Sequence, residues 1–234
     1  MKKILVTGGK GRFAQVLKKF KTNINFIYLT AKQLDILKPS SIDKAIKKYK
    51  PKEILHLAGL SRPMQAHEID IQKSINLNII GTANLVVACA RFKIKIIYFS
   101  TSYIYPGVKG NYKETDYLLP WNNYAWSKLG GEAAVQMYKN SLILRVCMTE
   151  KPFIHKQAFS NVKSNFIFQE DLAKMFLKLI NKKGVFNIGG VPQTIYKFAK
   201  KYNKNVKKKK SNGEFPLKQD MNLDKIKKIY NENN

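Results

Sequence analysis

Cysteine, arginine and acidic residues are all scarce in this chain, and it has no long apolar run. The two cysteines, Cys89 and Cys147, are too few for a disulfide framework or a four-ligand zinc site, so no metal centre is expected. Both lie in apolar segments, which suits reduced core thiols. The apolar runs stay short of the ~18 residues a membrane span requires. After Met1-Lys2-Lys3, only Ile4-Leu5-Val6 precede Thr7-Gly8-Gly9, too little apolar length for a secretory signal, and the expected location is cytoplasmic. The 15 acidic residues face 43 Lys and Arg, for a formal charge of +28. Such a charge alone points to nucleic acid or an acidic membrane surface. Only Arg12, Arg62, Arg91 and Arg145, however, carry the guanidinium fork that reads phosphates and base edges bidentately. The other cations are lysines spread along the whole chain. With Lys, Asn and Ile enriched together, the charge reads as compositional drift. Nucleic acid is therefore not the expected partner, while a preference for anionic small molecules stays open.

Apolar residues make up 44% of the 234 positions and aromatics 12%, enough for a buried core in one large domain or one domain with a small appendage. The first two thirds alternate strand-like and helix-like segments. Strands are expected at Lys3–Thr7, Asn25–Leu29, Glu53–Leu57, Lys95–Ser100 and Leu142–Val146. Helices are expected at Arg12–Phe20, from a Ser cap in Pro39-Ser40-Ser41 through Tyr49, over one long stretch from Glu68 to Arg91, and at Trp121–Tyr138. This alternation means an α/β fold, a Rossmann-like doubly wound parallel sheet covered on both faces. Beyond Arg145 the pattern loosens. Helices are expected at Gln169–Ile180, Thr194–Tyr202 and Leu223–Tyr230, with a short strand at Val185–Ile188. The lysine-rich run 200–210 reads as a solvated loop or helix end, with a site for an acidic surface as the sharper alternative.

Thr7-Gly8-Gly9-Lys10-Gly11-Arg12-Phe13-Ala14 follows the first strand and opens a helix. Gly9 allows the tight turn, Gly11 lets backbone approach a pyrophosphate, and Ala14 is small enough for helix-on-strand packing. The helix start offers N–H groups to the anion. A lone glycine pattern is weak; its place in a strand–turn–helix unit makes dinucleotide binding the favoured reading over a structural turn. The second strand ends Tyr28-Leu29-Thr30-Ala31-Lys32, without the acid that reads an NAD ribose. Lys32 and Arg12 would instead pair with a 2′-phosphate, so NADP(H) is favoured and NAD(H) stays possible. Asp35, followed by Ile36, is expected beside the adenine. Ala58-Gly59-Leu60, small at the exit of the third strand, suits close backbone approach to the cofactor.

Tyr124-Ala125-Trp126-Ser127-Lys128 is a Tyr-x-x-x-Lys pair on one helix face. A Tyr titrates near pKa ~10, and a neighbouring ammonium stabilises its phenolate, enabling proton exchange at neutral pH. The bare spacing recurs at Tyr28/Lys32, Tyr105/Lys109 and Tyr196/Lys200. Context selects Tyr124, which starts a helix after a fourth strand ending Phe99-Ser100-Thr101-Ser102-Tyr103. A hydroxyl from Thr101 or Ser102 would meet a substrate carbonyl there.

With these motifs in hand, the chain resembles the extended short-chain dehydrogenase/reductases of the nucleotide-sugar type, and among them most closely the dTDP-4-dehydrorhamnose reductase family. The resemblance is carried by Gly8 to Ala14, Leu34-Asp35-Ile36, Ser100 to Gly107, Tyr124 to Glu132 and Leu144-Arg145, with Asn78 at the family's helix asparagine. It implies a cofactor domain over 1–146 and a reduced substrate lobe over 147–234, interleaved with the sheet. It implies Thr101, Tyr124 and Lys128 as the catalytic triad. It also implies reduction of a 4-keto nucleotide sugar, with Tyr103 and Tyr105 lining the sugar site; Arg62 is expected at the diphosphate from its position alone. A homodimer is a possible assembly. The chain departs from the family in having Val146-Cys147-Met148, with no aromatic, after Arg145, and in a shorter segment up to Asn187. Asp220-Met221-Asn222-Leu223-Asp224-Lys225-Ile226 resembles the family's terminal signature. An epimerase on the same scaffold stays open. A dehydratase would want an acid where Ser102 and Tyr103 stand. A third alternative is a non-catalytic, cofactor-binding regulatory subunit, of which a relative serves methionine adenosyltransferase.

Overall fold

The computed structural model describes residues 1–231. In chain order the first elements are β1 (Lys2–Thr7), α1 (Arg12–Leu17), β2 (Ile24–Tyr28), α2 (Pro39–Tyr49), β3 (Glu53–His56), α3 (Ala66–Ile69) and α4 (Ile71–Ile75). A π-helical stretch, Asn76–Ile80, leads into α5 (Gly81–Arg91), followed by β4 (Lys95–Thr101), a 3₁₀ turn at Ser102–Ile104, α6 (Asn123–Gln136) and β5 (Ser141–Val146). The remaining elements are β6 (Met148–Thr149), β7 (Gln157–Phe159), β8 (Lys163–Ser164), β9 (Ile167–Phe168), α7 (Gln169–Leu179), β10 (Gly184–Ile188), β11 (Gln193–Thr194), α8 (Ile195–Tyr202), β12 (Lys207–Lys209) and α9 (Asp224–Asn231). No helix among the described residues is long and apolar enough to cross a membrane.

A six-stranded sheet runs β10-β5-β4-β3-β1-β2, with parallel pairing of β1 to both β2 and β3, and of β3 to β4. The strands read as near-continuous apolar runs because both faces are covered; every residue of β3, β4 and β5 is buried. The chain leaves β1 for β2 on one side and returns to β3 on the other. The turns after β1 and β3 thus flank the point where strand order reverses, the place at which open α/β sheets bind ligands.

The chain divides into two compact units. Among the described residues the first comprises 1–100, 122–143 and 180–184, and the second 101–121, 144–179 and the chain from 185 on. In the first, α2 starts at Pro39 in the first helical position after Lys38, and the Ser41 hydroxyl accepts from Asp35 N rather than capping the helix. The single helix expected over Glu68–Arg91 is instead broken. Asp70 adopts a non-helical conformation (φ −130°, ψ 75°), and its carboxylate accepts from Lys73 N, ending α3 and restarting the chain as α4. Gly81 stands where the π stretch passes into α5, because a Cβ there would fall 2.5 Å from Ile36 Cδ1.

The second unit has its own core of Phe153, Val162, Phe168, Ile195, Phe198 and Val206. Three two-stranded ladders, β11/β8, β12/β7 and β6/β9, frame it. Asn187 bonds Tyr112 O and Tyr105 Oη (2.8 Å each), and Asp220 accepts from Asn111 N and pairs with Lys163 (3.1 Å). The lysine run, read as loop or helix end, ends α8 and then forms β12, in parallel register with Gln157–Phe159.

Candidate active site

The glycine turn is shaped by its neighbours. Gly8 is the left-handed residue (φ +65°), and a Cβ there would lie 2.8 Å from Ala58 N and Cα. At Gly9 a Cβ would strike Leu29 N at 2.8 Å, and the Gly9 N–H donates to Leu29 O. The tight conformation expected of Gly9 therefore belongs to Gly8. Gly11 precedes α1 in an extended conformation, with no side-chain cap, and a Cβ there would meet only Gly8 O at 3.0 Å. The helix's first backbone bond runs from Gln15 N to Gly11 O, so backbone starts the helix without a side chain filling the cradle. These features fit a dinucleotide's diphosphate.

Around the cradle, Arg12 Nη2 reaches Ser61 Oγ at 3.5 Å, Phe13 is buried with its ring 4.8 Å from that of Phe99, and Lys32 is exposed in the turn after β2. The Asp35 carboxylate accepts from Leu37 N and pairs with Lys38 at 3.8 Å; Ile36 is buried. Arg62 is exposed.

The exit of β3 is held by a chain of single-direction hydrogen bonds. Thr7 Oγ1 accepts from Leu57 N and Ala58 N, both at 3.1 Å, so its proton goes to His56 Nδ1 at 2.9 Å. Thr82 Oγ1 donates to Asn78 O (2.8 Å) and accepts from His56 Nε2 (3.0 Å). His56 is thus neutral with its proton on Nε2. Burial, reinforced by the charge of Lys128, lowers its pKa to about 3.

Asn78 joins this strap to α6. Its Oδ1 accepts from Leu60 N (2.8 Å), and its Nδ2 donates to Leu60 O (2.9 Å) and Ser127 Oγ (2.8 Å). Ser127 in turn donates to Tyr124 O at 2.7 Å. Gly59 (φ +154°) admits the amide, since a Cβ there would sit 2.7 Å from Asn78 Oδ1. Gly131 lets α6 approach so closely that a Cβ would meet Asn78 O at 2.4 Å and Tyr98 Oη at 2.7 Å.

Asn122 starts α6 by accepting from Ala125 N, which places Tyr124 in the first turn and Lys128 one turn on. Lys128 Nζ lies 4.1 Å from the centre of the Tyr98 ring. Desolvation draws its pKa down to about 7, opposed by Glu132. The Tyr124 and His67 rings make a T-shaped contact with centroids 5.2 Å apart.

In the second unit, Thr101 ends β4 buried, with Oγ1 accepting from Tyr103 N at 3.3 Å. Ser102 is fully buried. The Tyr103 ring packs against Trp121 (5.3 Å) and Phe215 (5.9 Å). Tyr105, expected beside Tyr103 in the sugar site, is instead a fully buried post. Its ring stacks on Tyr112, its hydroxyl accepts from Arg145 Nη1 (2.7 Å) and meets Asn187 Oδ1, and burial raises its pKa to about 12. Sequence reasoning missed His56, His67 and Ser127; the one available signal was that the chain holds only three histidines.

The model of the RmlD substrate binding domain family matches residues 1–154. A dTDP-4-dehydrorhamnose reductase of Aggregatibacter actinomycetemcomitans is 28% identical over 193 residues, covering 80% of this chain and 60% of that protein. Methionine adenosyltransferase 2 subunit beta of Xenopus laevis is 30% identical over 155 residues, 62% of this chain and 46% of the relative. The chain thus spans about half to three fifths of the length of these relatives. A crystal structure of dTDP-4-dehydrorhamnose reductase from Bacillus anthracis in complex with NADP has the same fold (TM-score 0.86, 22% identity, covering 97% of this chain and 91% of that one).

Proposed function

Because the chain belongs to the RmlD substrate binding domain family, we propose that it is an NADP(H)-dependent oxidoreductase that reduces the 4-keto group of a nucleotide-linked deoxysugar. The observation that carries this reading is the pair Tyr124 and Lys128 one turn apart, tied through Ser127 and Asn78 to the Leu60 backbone. The likeness to the reductase of A. actinomycetemcomitans and to the NADP-bound fold supports it.

In this reading residues 1–146 form the cofactor domain and 147–234 the reduced substrate lobe. Gly8, Gly9 and Gly11 hold the diphosphate, Arg12 and Lys32 the 2′-phosphate, Asp35 and Ile36 the adenine end, and Phe13 and Ala58–Leu60 the cofactor's flank. When bound, the nicotinamide supplies the hydride. Tyr124 gives the phenolic proton to the carbonyl oxygen, and Thr101 hydrogen-bonds that oxygen. Lys128 holds the ribose hydroxyls and stabilises the phenolate left behind. With its pKa near 7, its ammonium form is reinforced when negative charge develops on Tyr124. Ser102 and Tyr103 contact the sugar and Arg62 the substrate diphosphate.

Mixed with NADPH and a dTDP-4-keto-deoxysugar, the protein should oxidise cofactor. Tyr124→Phe should cut kcat by ~10²–10⁴ while leaving NADPH affinity near wild type. Failure to bind NADPH, or an undiminished Tyr124→Phe rate, refutes the proposal. A second reading, a cofactor-binding regulatory subunit, is favoured by the likeness to methionine adenosyltransferase 2 subunit beta. It requires NADPH binding with no turnover across a panel of keto sugars.

A further inference from the structure

His67 is fully buried in the first unit, and nothing above gives it a task. It comes from α3, where the neighbouring Glu68 carboxylate accepts from Asn123 Nδ2 and so ties α3 to the start of the helix bearing Tyr124. His67 Nδ1 lies 2.7 Å from Ser74 Oγ, whereas Nε2 is buried without a hydrogen-bond partner. A buried orphan nitrogen in a folded protein calls for a physical reason. The His67 and Tyr124 ring planes cross at 62° with centroids 5.2 Å apart, an edge contact.

Burial draws the His67 pKa down, opposed by Glu68 and aided by Lys128. A neutral imidazole carries one proton. When the Ser74 hydroxyl donates to Nδ1, that proton resides on Nε2, and a ring N–H set against an aromatic ring is a weak donor to its π system. We infer that His67 is a positioning residue for Tyr124, presenting its Nε2–H edge to the phenol ring. This rests on the reading of Tyr124 as the proton donor. A phenolate ring is richer in electrons than a phenol, so an edge donor stabilises the deprotonated state more and lowers the phenol's pKa. The other ionisable groups around this corner are Lys128 and Glu132 on α6, Glu68 on α3, Tyr98 on β4 and His56 on β3, which burial keeps neutral. The Lys128 ammonium favours the phenolate and the two carboxylates oppose it. His67 assists Lys128 without bringing a second charge, and it holds the ring in one orientation.

The test uses the full chain as wild type, His67→Phe, His67→Gln and Tyr124→Phe. Two readouts follow the phenol: the pH dependence of NADPH-driven reduction, and tyrosinate absorbance taken as the difference from Tyr124→Phe. His67→Phe keeps a ring and loses the N–H. It should raise the Tyr124 pKa by roughly half to one unit, a three- to tenfold change in its ionisation equilibrium, and lower kcat by a similar factor. KM for NADPH should stay within about twofold of wild type, since no cofactor contact is removed. His67→Gln keeps an N–H and should recover part of the shift. If His67→Phe does not fold, Ser74→Ala carries the test, because it removes the donor that sets the tautomer and should move the pKa the same way. An unshifted pKa in the folded variants overturns the inference, as does a fall in kcat, affinity and stability together without that shift. The titration needs no turnover. A wild type inert toward keto sugars would refute the functional reading while the titration still decides His67.

Discussion

Asn78→Ala removes the tie between the β3 exit and the Tyr124 helix, and its cost can be worked from the contacts. Three hydrogen bonds disappear: two with the Leu60 backbone, at 2.8 and 2.9 Å, and one to Ser127 Oγ at 2.8 Å. Leu60 is half-buried, so water re-satisfies part of its backbone, whereas Ser127 is buried and receives no replacement donor. At about 1 kcal/mol per bond the loss is ~3 kcal/mol. The Thr82 bond to Asn78 O survives, because it uses backbone. For a chain of this size, each kcal/mol shifts Tm by ~2–4 °C, so a drop of roughly 6–12 °C is expected. Calorimetry and urea unfolding of Asn78→Ala, Ser127→Ala and the double variant would measure it. The double-mutant cycle should return a coupling of about 0.5–1.5 kcal/mol. A loss below ~1 kcal/mol, or a coupling indistinguishable from zero, would show that the tie is incidental to the architecture.

His56 sets a pH dependence. Its folded pKa is about 3 against 6.5 for the ordinary imidazole, so between those values only the unfolded chain takes up the proton. Stability is then full above pH 6.5 and is lost as pH falls, by ~2 kcal/mol at pH 5; His56→Gln should flatten this slope in acid unfolding curves, and an unchanged slope would exclude His56 as its source. Gly131→Ala places a Cβ 2.4 Å from the Asn78 carbonyl oxygen, which cannot give way cheaply. It should cost about 1–3 kcal/mol in thermal melts, and a neutral substitution would contradict the close approach of α6. Lys32→Glu should weaken NADPH more than NADH in direct titrations, and equal effects on the two would remove Lys32 from the 2′-phosphate.

The order of strands and helices was legible because buried parallel strands read as apolar runs and the glycine turn announces a strand–turn–helix unit. The errors share a cause: apolar spacing carries no trace of the particular hydrogen bonds that set an element's boundaries. Ser41 is a good cap by type, yet its hydroxyl serves Asp35 N and Pro39 starts α2. Asp70 to Lys73 resembles helix interior, and only the capping bond shows that α3 ends there. No apolar alternation marks Lys207–Lys209 as a strand. Its backbone pairs with β7, while Lys208 Nζ lies over the Tyr196 ring at 5.4 Å and Lys209 Nζ over Phe159 at 5.0 Å, cation–ring contacts that leave no apolar pattern.

The same physics explains which part of the candidate site the sequence discloses. In a chain holding 43 basic residues, a Tyr-x-x-x-Lys spacing is common, and a lysine in water carries no information. Of the four such pairs, Lys32 is exposed in a turn, Lys109 pairs with Asp116 at 2.9 Å, and Lys200 is exposed, donating to Lys204 O. Lys128 alone among them is desolvated, packed over the Tyr98 ring with its pKa drawn down to about 7. Withdrawing an ammonium from water is unfavourable unless something compensates. The compensation is assembled from Glu132 one turn on and from an aromatic face on β4. Of the residues that hold this corner, His56 stands 49 positions from Thr7 and 26 from Thr82, and Asn78 stands 18 from Leu60 and 49 from Ser127. Such separations leave no periodic trace, so the motif was readable while the desolvation that distinguishes it from its three duplicates was not.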